Sequence, residues 1–306
     1  MLSIAVSGVS GLLGAHVAAA LVRHHRVVGL DRHPWWGDQP LTVLHGDLMD
    51  PQFRAASLAE ARPEIFIHCA AMVNVDACED RPELAYAANG VLTGALAREV
   101  PQDCLFVYVT TDGVFRGDEP FRRETDLPCP RTVYGRSKLH GEWETELATD
   151  NHLIVRTNFF GWSSGLKQTS AEWLFSALSS GASVTLFDDF FFTPLYVVDL
   201  VERLIALVGG GHRGRFHVCG QDRVSKHEFG IGLAAVAGLP TTRVQRGSIE
   251  AATLRAPRPR DMSLSSARFQ QATGLTVPGC EQGLRRFLAD RGRPLSERVA
   301  TVPQPL

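Results

Sequence analysis

Tyr134 and Lys138, in Val133-Tyr134-Gly135-Arg136-Ser137-Lys138, have the residue types and spacing needed to move a proton. On a helix, residues four apart share a face, so a phenol and an ammonium can address one site. A phenol with its ordinary pKa of about 10 is a poor base at neutrality. A neighbouring cation stabilises the phenolate and draws that value down. Such a pair can protonate the oxygen of a carbonyl while a cofactor carries hydride to its carbon. Tyr-x-x-x-Lys also arises by chance on surface helices, so the pattern needs support. Upstream, residues 105–109 read as a strand that runs into Thr110-Thr111-Asp112. A hydroxyl at that end of a strand can donate to a developing alkoxide, and Thr111 is the expected donor. Threonines also end strands for purely structural reasons.

A second constellation lies at the start of the chain. Ser7-Gly8-Val9-Ser10-Gly11-Leu12-Leu13-Gly14 has the spacing G-x-x-G-x-x-G between an expected strand, 2–6, and an expected helix, 15–22. Glycines there let backbone N–H groups approach a pyrophosphate, and the positive end of the following helix favours the anion. The next strand, 26–30, closes on Leu30-Asp31-Arg32. Asp31 can accept from both adenosine ribose hydroxyls, which favours NAD; Arg32 could pair with a 2′-phosphate, which leaves NADP open. Asp47, in Gly46-Asp47-Leu48, could accept from the adenine amino group or simply cap a helix. Ala70 and Ala71, after His68-Cys69, are small enough for the chain to pass close to a cofactor, or serve packing alone.

The elements that must position these groups alternate. Residues 2–6, 26–30, 41–44, 65–68, 105–109 and 153–156 read as strands, with Ala/Leu-rich helical stretches such as 15–22 and 84–99 between them. Near-continuous apolar strands alternating with helices imply an α/β, Rossmann-type, doubly wound parallel sheet whose ligands sit at the strands' carboxyl ends. Residues 1–158 are expected to form the dinucleotide-binding domain. Residues 159–292 mainly form a smaller substrate lobe interwoven with the last sheet strands. The lobe pattern predicts helices at 171–178, 197–207 and 226–237, and strands at 184–187 and 215–218. A tail, 293–306, holds three prolines and is expected to be mobile or to lie over the surface.

Composition narrows the partners. The 306 residues are 44% hydrophobic and 21% charged with a formal net charge of −2, and no run of Lys or Arg offers a footprint for nucleic acid or an anionic membrane. No apolar run reaches the ~18 residues of a transmembrane helix, and the start lacks the charged head of a signal peptide. Six scattered cysteines read as reduced thiols in the cytoplasm, and no close Cys/His pairs suggest a metal, so none is expected. Phe190-Phe191-Phe192 could line a substrate pocket or pack a core. Trp35-Trp36 reads as a surface loop. Arg258 and Arg260 could pair with substrate phosphates or form salt bridges within the lobe.

Taken together, the chain resembles an extended short-chain dehydrogenase/reductase, and within that superfamily the dTDP-4-dehydrorhamnose reductase group. The resemblance runs to about Gly274. It rests on Val109-Thr110-Thr111-Asp112-Gly113-Val114-Phe115-Arg116-Gly117, on Tyr134-Gly135-Arg136-Ser137-Lys138-Leu139-His140-Gly141-Glu142, and on Val155-Arg156-Thr157-Asn158-Phe159. Val75-Asp76-Ala77-Cys78-Glu79, Phe216-His217-Val218-Cys219-Gly220 and Arg258-Pro259-Arg260-Asp261 also match. The resemblance implies Thr111, Tyr134 and Lys138 as the catalytic triad. It places Gly8, Ser10, Gly11, Leu12, Leu13, Asp31, Asp47, Leu48, Ala70, Ala71, Asn89 and Asn158 at or beside the cofactor. Asp112 and Phe159 would contact substrate, with Val73 and Val75 near it. Gly113 stands where the group usually has an aromatic residue and Phe159 where it often has Trp, which alters the walls around the sugar. The implied activity is NAD(P)H-dependent reduction of the 4-keto group of a nucleotide-linked deoxysugar, by a cytoplasmic enzyme that could form a homodimer. A nucleotide-sugar epimerase is the alternative within the superfamily. A nucleotide-binding regulatory subunit, like the non-catalytic partner of methionine adenosyltransferase, is the alternative outside catalysis.

Overall fold

The computed structural model describes residues 1–165, 168–252 and 254–303. The central sheet begins with β1 (Ser3–Ser7), β2 (Arg26–Asp31), β3 (Thr42–His45), β4 (Ile65–His68), β5 (Leu105–Thr111) and β6 (His152–Thr157), and a seventh strand, Gly214–His217, completes it. Its spatial order is Gly214–His217, β6, β5, β4, β1, β2, β3, and every pairing is parallel. The chain first builds outward from β1 to β3, then returns to the other side of β1 with β4. Strand order therefore reverses between β1 and β4, which opens a crevice at their carboxyl ends.

Both faces of the sheet are covered, as near-continuous apolar strands require. On one face Ile4 and Val6 pack against the helix Leu12–Leu21 and the long helix Val197–Gly209. On the other, Ala5, Val28, Leu30, Phe66, Phe106 and Tyr108 pack with Leu92 and Leu96 of the helix Leu92–Glu99.

Two features depart from the sequence pattern. The stretch 84–99, apolar and helical throughout in composition, is broken by a π-helical turn at Ala87–Val91. Tertiary bonds to Asn89, described below, hold that wider turn, and local propensity carries no sign of them. The tail is also no loose end: Leu295, Val299 and Val302 are buried in the main core. Asp38 accepts from the Ser296 N–H at 2.9 Å and from its hydroxyl, and Arg23 donates to the Ser296 carbonyl at 3.0 Å.

Candidate active site

The turn after β1 has the geometry of a phosphate cradle. Gly8 sits at φ +76°, a conformation that side chains resist, and its N–H donates to the Leu30 carbonyl at 2.9 Å. A Cβ at Gly14 would lie 2.2 Å from the Gly8 carbonyl oxygen, so the helix start presses directly on the turn. Gly11 is the N-cap and no side chain caps that helix, which leaves its positive end available to an anion. Gly8 also touches the backbone of Ala70 across the crevice, where a Cβ would come within 2.8 Å of the Ala70 nitrogen. Ala70 and Ala71 thus border the turn from the β4 side. Leu12 is half-buried; Leu13 and Leu48 are buried in the two cores.

At the end of β2, Asp31 Oδ2 accepts from the N–H of Ser10 at 2.8 Å and from its hydroxyl at 2.7 Å. Oδ1 accepts from the His33 N–H at 2.9 Å. The carboxylate is thereby aimed beside the turn. Arg32 lies 3.7 Å from Asp47, both of them exposed. Trp36 Nε1 donates to the Ser10 carbonyl at 3.1 Å, so the Trp35-Trp36 loop is fastened to the turn.

Tyr134 and Lys138 lie on the helix Val133–Ala148, started by Thr132, whose hydroxyl accepts from the Gly135 N–H at 3.0 Å. A Cβ at Gly135 would fall 2.1 Å from the Gly113 carbonyl, so only glycine lets the helix dock on the turn that carries Thr111 and Asp112. Lys138 is 3% exposed. Its ammonium donates to the Val109 carbonyl at 2.9 Å and lies 4.3 Å from the centre of the Tyr108 ring. Burial draws its pKa down to about 7, against the pull of Glu142 and Cys69. Tyr108 pairs in register with His68 at the end of β4, and the His68 ring bonds Ser7 at 2.7 Å, so Lys138 stands at the crevice above the glycine turn.

Tyr134 is half-buried, on the helix that docks through Gly135 against the turn carrying Thr111. Burial pushes its phenol well above the ordinary value, and the Asp112 charge adds to the rise. The spacing predicts a phenol lowered by Lys138; here burial sets the direction instead. A phenol held protonated is suited to giving a proton.

The Thr111 hydroxyl donates to Asp112 Oδ1 at 2.9 Å and accepts from the Gly113 N–H at 3.0 Å. Asn158 donates to Asp112 Oδ2 at 2.7 Å. Burial raises the Asp112 carboxyl to about 6, while the Asn158 and Thr111 bonds oppose the rise. Asn89 is fully buried, and its amide is used within the protein: it bonds both backbone groups of Met72 and the Ser137 hydroxyl. It pins the loop after Ala71 to the Tyr134 helix. One turn past Lys138, Glu142 forms an ion pair with Arg156 of β6, neither of them exposed, with a closest approach of 2.6 Å. That pair anchors the Tyr134 helix to the sheet.

On the substrate side, Val73 is exposed, while Val75 and Phe159 are half-buried. Arg258 donates to Asp76 at 2.9 Å and to the Ala256 carbonyl, and Arg260 pairs with Glu250. Both guanidiniums thus have protein partners. Met262 and Lys226 border the same space without any motif to mark them. The Met262 methyl faces the position where a Gly113 side chain would begin, at 3.7 Å. The Met262 N–H donates to the Phe191 carbonyl at 2.8 Å, and Lys226 lies over the adjacent Phe192 ring, 3.5 Å from its centre. The rarity of lysine in this chain is the one hint the sequence offered.

The arrangement joins a dinucleotide-type crevice to a hydroxyl, a protonated phenol and a buried amine, which suits protonation of a carbonyl oxygen. Known proteins agree with this geometry. The family described as "RmlD substrate binding domain" matches residues 2–292. A probable low-salt glycan biosynthesis reductase, Agl14, of Haloferax volcanii is 33% identical, covering 91% of this chain and 95% of that protein. The dTDP-4-dehydrorhamnose reductase of Mycobacterium tuberculosis is 32% identical over 89% of this chain and 87% of its own. The crystal structure of dTDP-4-dehydrorhamnose reductase from Bacillus anthracis in complex with NADP superposes with a TM-score of 0.85 at 25% identity, covering 94% of this chain and 99% of that one.

Proposed function

The chain belongs to the RmlD substrate binding domain family, and from that membership we propose that it is a nicotinamide-dependent ketoreductase acting on the 4-keto group of a nucleotide-activated deoxysugar. The observation that carries this reading is the docking of the Tyr134 helix, through Gly135 against the Gly113 carbonyl, on the turn that carries Thr111 at the carboxyl end of β5, where the buried Lys138 ammonium bonds Val109. The glycine cradle and the uncapped helix start fit a dinucleotide pyrophosphate, held by Gly8, Ser10, Gly11, Leu12 and Leu13, with Ala70 and Ala71 facing them across the crevice. When bound, the nicotinamide supplies the hydride. The Thr111 hydroxyl orients the sugar's carbonyl oxygen, and the Tyr134 phenol gives that oxygen its proton. Lys138 holds the nicotinamide ribose and returns charge balance once the phenolate forms. Asp112, with Phe159, Val73 and Val75, borders the sugar.

NAD is the preferred cofactor in this reading, because Asp31 is oriented beside the turn and would repel a 2′-phosphate, whereas Arg32 is drawn towards Asp47. Six free thiols and the absence of any helix long and apolar enough to cross a membrane, among the described residues, suit a cytoplasmic setting. Exposed Trp143 and Leu147 on the Tyr134 helix, with Leu84 and Val91 on the neighbouring helical segment, give a homodimer an apolar face. Residues 1–158 then act as the cofactor domain, and 159–292 supply the sugar lobe.

The test follows absorbance of NADH and of NADPH with a panel of nucleotide-linked 4-keto sugars, comparing wild type with Tyr134→Phe. Oxidation is expected, faster with NADH, and at least about a hundredfold slower in the variant, the scale of acid–base catalysis. Equal rates in the two proteins would refute the role of Tyr134.

A further inference from the structure

Three of the chain's 31 basic residues are lysines: Lys138, Lys167 and Lys226. Where arginine serves nearly every surface charge, a lysine marks a place suited to a compact head with three donors. Lys138 is one such place, and Lys167 lies outside the described residues. Lys226 opens the helix Lys226–Val236, with Ser225 forming a capping box, so its backbone is firmly set. Its N–H donates to the Phe190 carbonyl at 3.0 Å. Its ammonium lies 3.5 Å from the centre of the Phe192 ring and 5.2 Å from that of Phe190. The aromatic faces hold the cation without satisfying its hydrogens.

The surrounding cations are otherwise committed. Arg223 pairs with Asp261 at 2.6 Å, Arg258 with Asp76 at 2.9 Å, and Arg260 with Glu250. Among the described residues no carboxylate pairs with Lys226. Phe191, between the Phe190 and Phe192 rings in sequence, accepts from the Met262 N–H at 2.8 Å, and the Met262 methyl faces Gly113, next to Asp112, which is bonded to Thr111 and Asn158 at the reacting centre. The Lys226 segment is thereby tied to the wall beside the reacting centre.

We propose that Lys226 is a specificity-determining residue that donates to the ring oxygen substituent beside the reacting carbonyl, so that the substrate is a keto sugar keeping a hydroxyl at C3. Asp112 accepts from the same face of the ring, and Phe190 and Phe192 pack beside it. This rests on the ketoreductase reading, but binding tests it without turnover. Calorimetry would compare two thymidine-diphosphate sugars that differ only in the C3 hydroxyl, and thymidine diphosphate alone, on wild type and on Lys226→Met. Wild type should favour the hydroxylated ligand by about 10- to 100-fold, the scale of one hydrogen bond to a charged group. The variant should narrow that ratio to about threefold or less, and bind thymidine diphosphate as wild type does. The same ratio in both proteins would overturn the proposal. So would a matching loss of thymidine diphosphate affinity, because the lysine would then serve the phosphates. Wild type that binds these sugars with the expected ratio yet oxidises no reduced cofactor would instead remove the ketoreductase reading and leave Lys226 as a sugar contact.

Discussion

The Lys138 amine should make the protein less stable than a variant that lacks it, by an amount that depends on pH. The group is 3% exposed, with one carbonyl and one ring as partners, and burial lowers its pKa from 10.5 to about 7. Between those two values the unfolded chain binds more protons than the folded one, so stability rises with pH across that window. The penalty is complete below pH 7 and fades towards pH 10. Linkage puts it at about 4 kcal/mol at pH 7 and about 2 kcal/mol at pH 9. Lys138→Met keeps the length and apolar stem of the side chain, and loses one hydrogen bond worth about 1 kcal/mol. The variant should therefore lose activity yet resist urea better at pH 7. Its advantage over wild type should shrink by about 2 kcal/mol on going to pH 9. Histidines lowered to about 3 and thiols raised to about 12 are common to both proteins and cancel in the difference. A gap between the two proteins that stays constant with pH would refute the reasoning.

Other outcomes follow from the same geometry. Glu142→Leu leaves the buried Arg156 guanidinium without its carboxylate, and should cost about 3–5 kcal/mol in urea unfolding. A double replacement of Glu142 and Arg156 by apolar residues of similar volume should recover most of that loss; no recovery would argue against uncompensated charge as the cause. Gly14→Ala forces a methyl into the Gly8 carbonyl. Reduced-nicotinamide fluorescence should then show cofactor binding weakened by at least about tenfold, or 1.4 kcal/mol. Unaltered binding would mean that the turn does not hold the pyrophosphate.

What could be read from the chain, and what could not, divides by range of interaction. The glycine turn and the Tyr134–Lys138 spacing are local, and each sits on a strand or helix that its own residues specify. The helix expected at 226–237 and the strand at 184–187 fall where Lys226–Val236 and Val184–Phe187 form. The seventh sheet strand begins one residue before its expected start, at Gly214. The π turn at Asn89 depends on Met72 and Ser137, which lie far away in sequence. Arg258 could be placed near the lobe, but its partner Asp76 could not be named from spacing. The Tyr134 shift runs opposite to what the spacing implies, because burial sets it and spacing does not show burial.

The helix Leu12–Leu21 is buried from Leu13 to Leu21, yet its cover comes from the helix Val197–Gly209 and from the segment Leu295–Arg298. During synthesis at about 5–20 residues per second, that Ala/Leu-rich cylinder leaves the ribosome tens of seconds before its lid does. The nascent chain must therefore carry a sticky, unshielded surface through most of translation, and this is where a chaperone would be expected to hold it. Removing residues 295–303 would make part of that exposure permanent, leaving the helix Val197–Gly209 to shield the first helix without the tail.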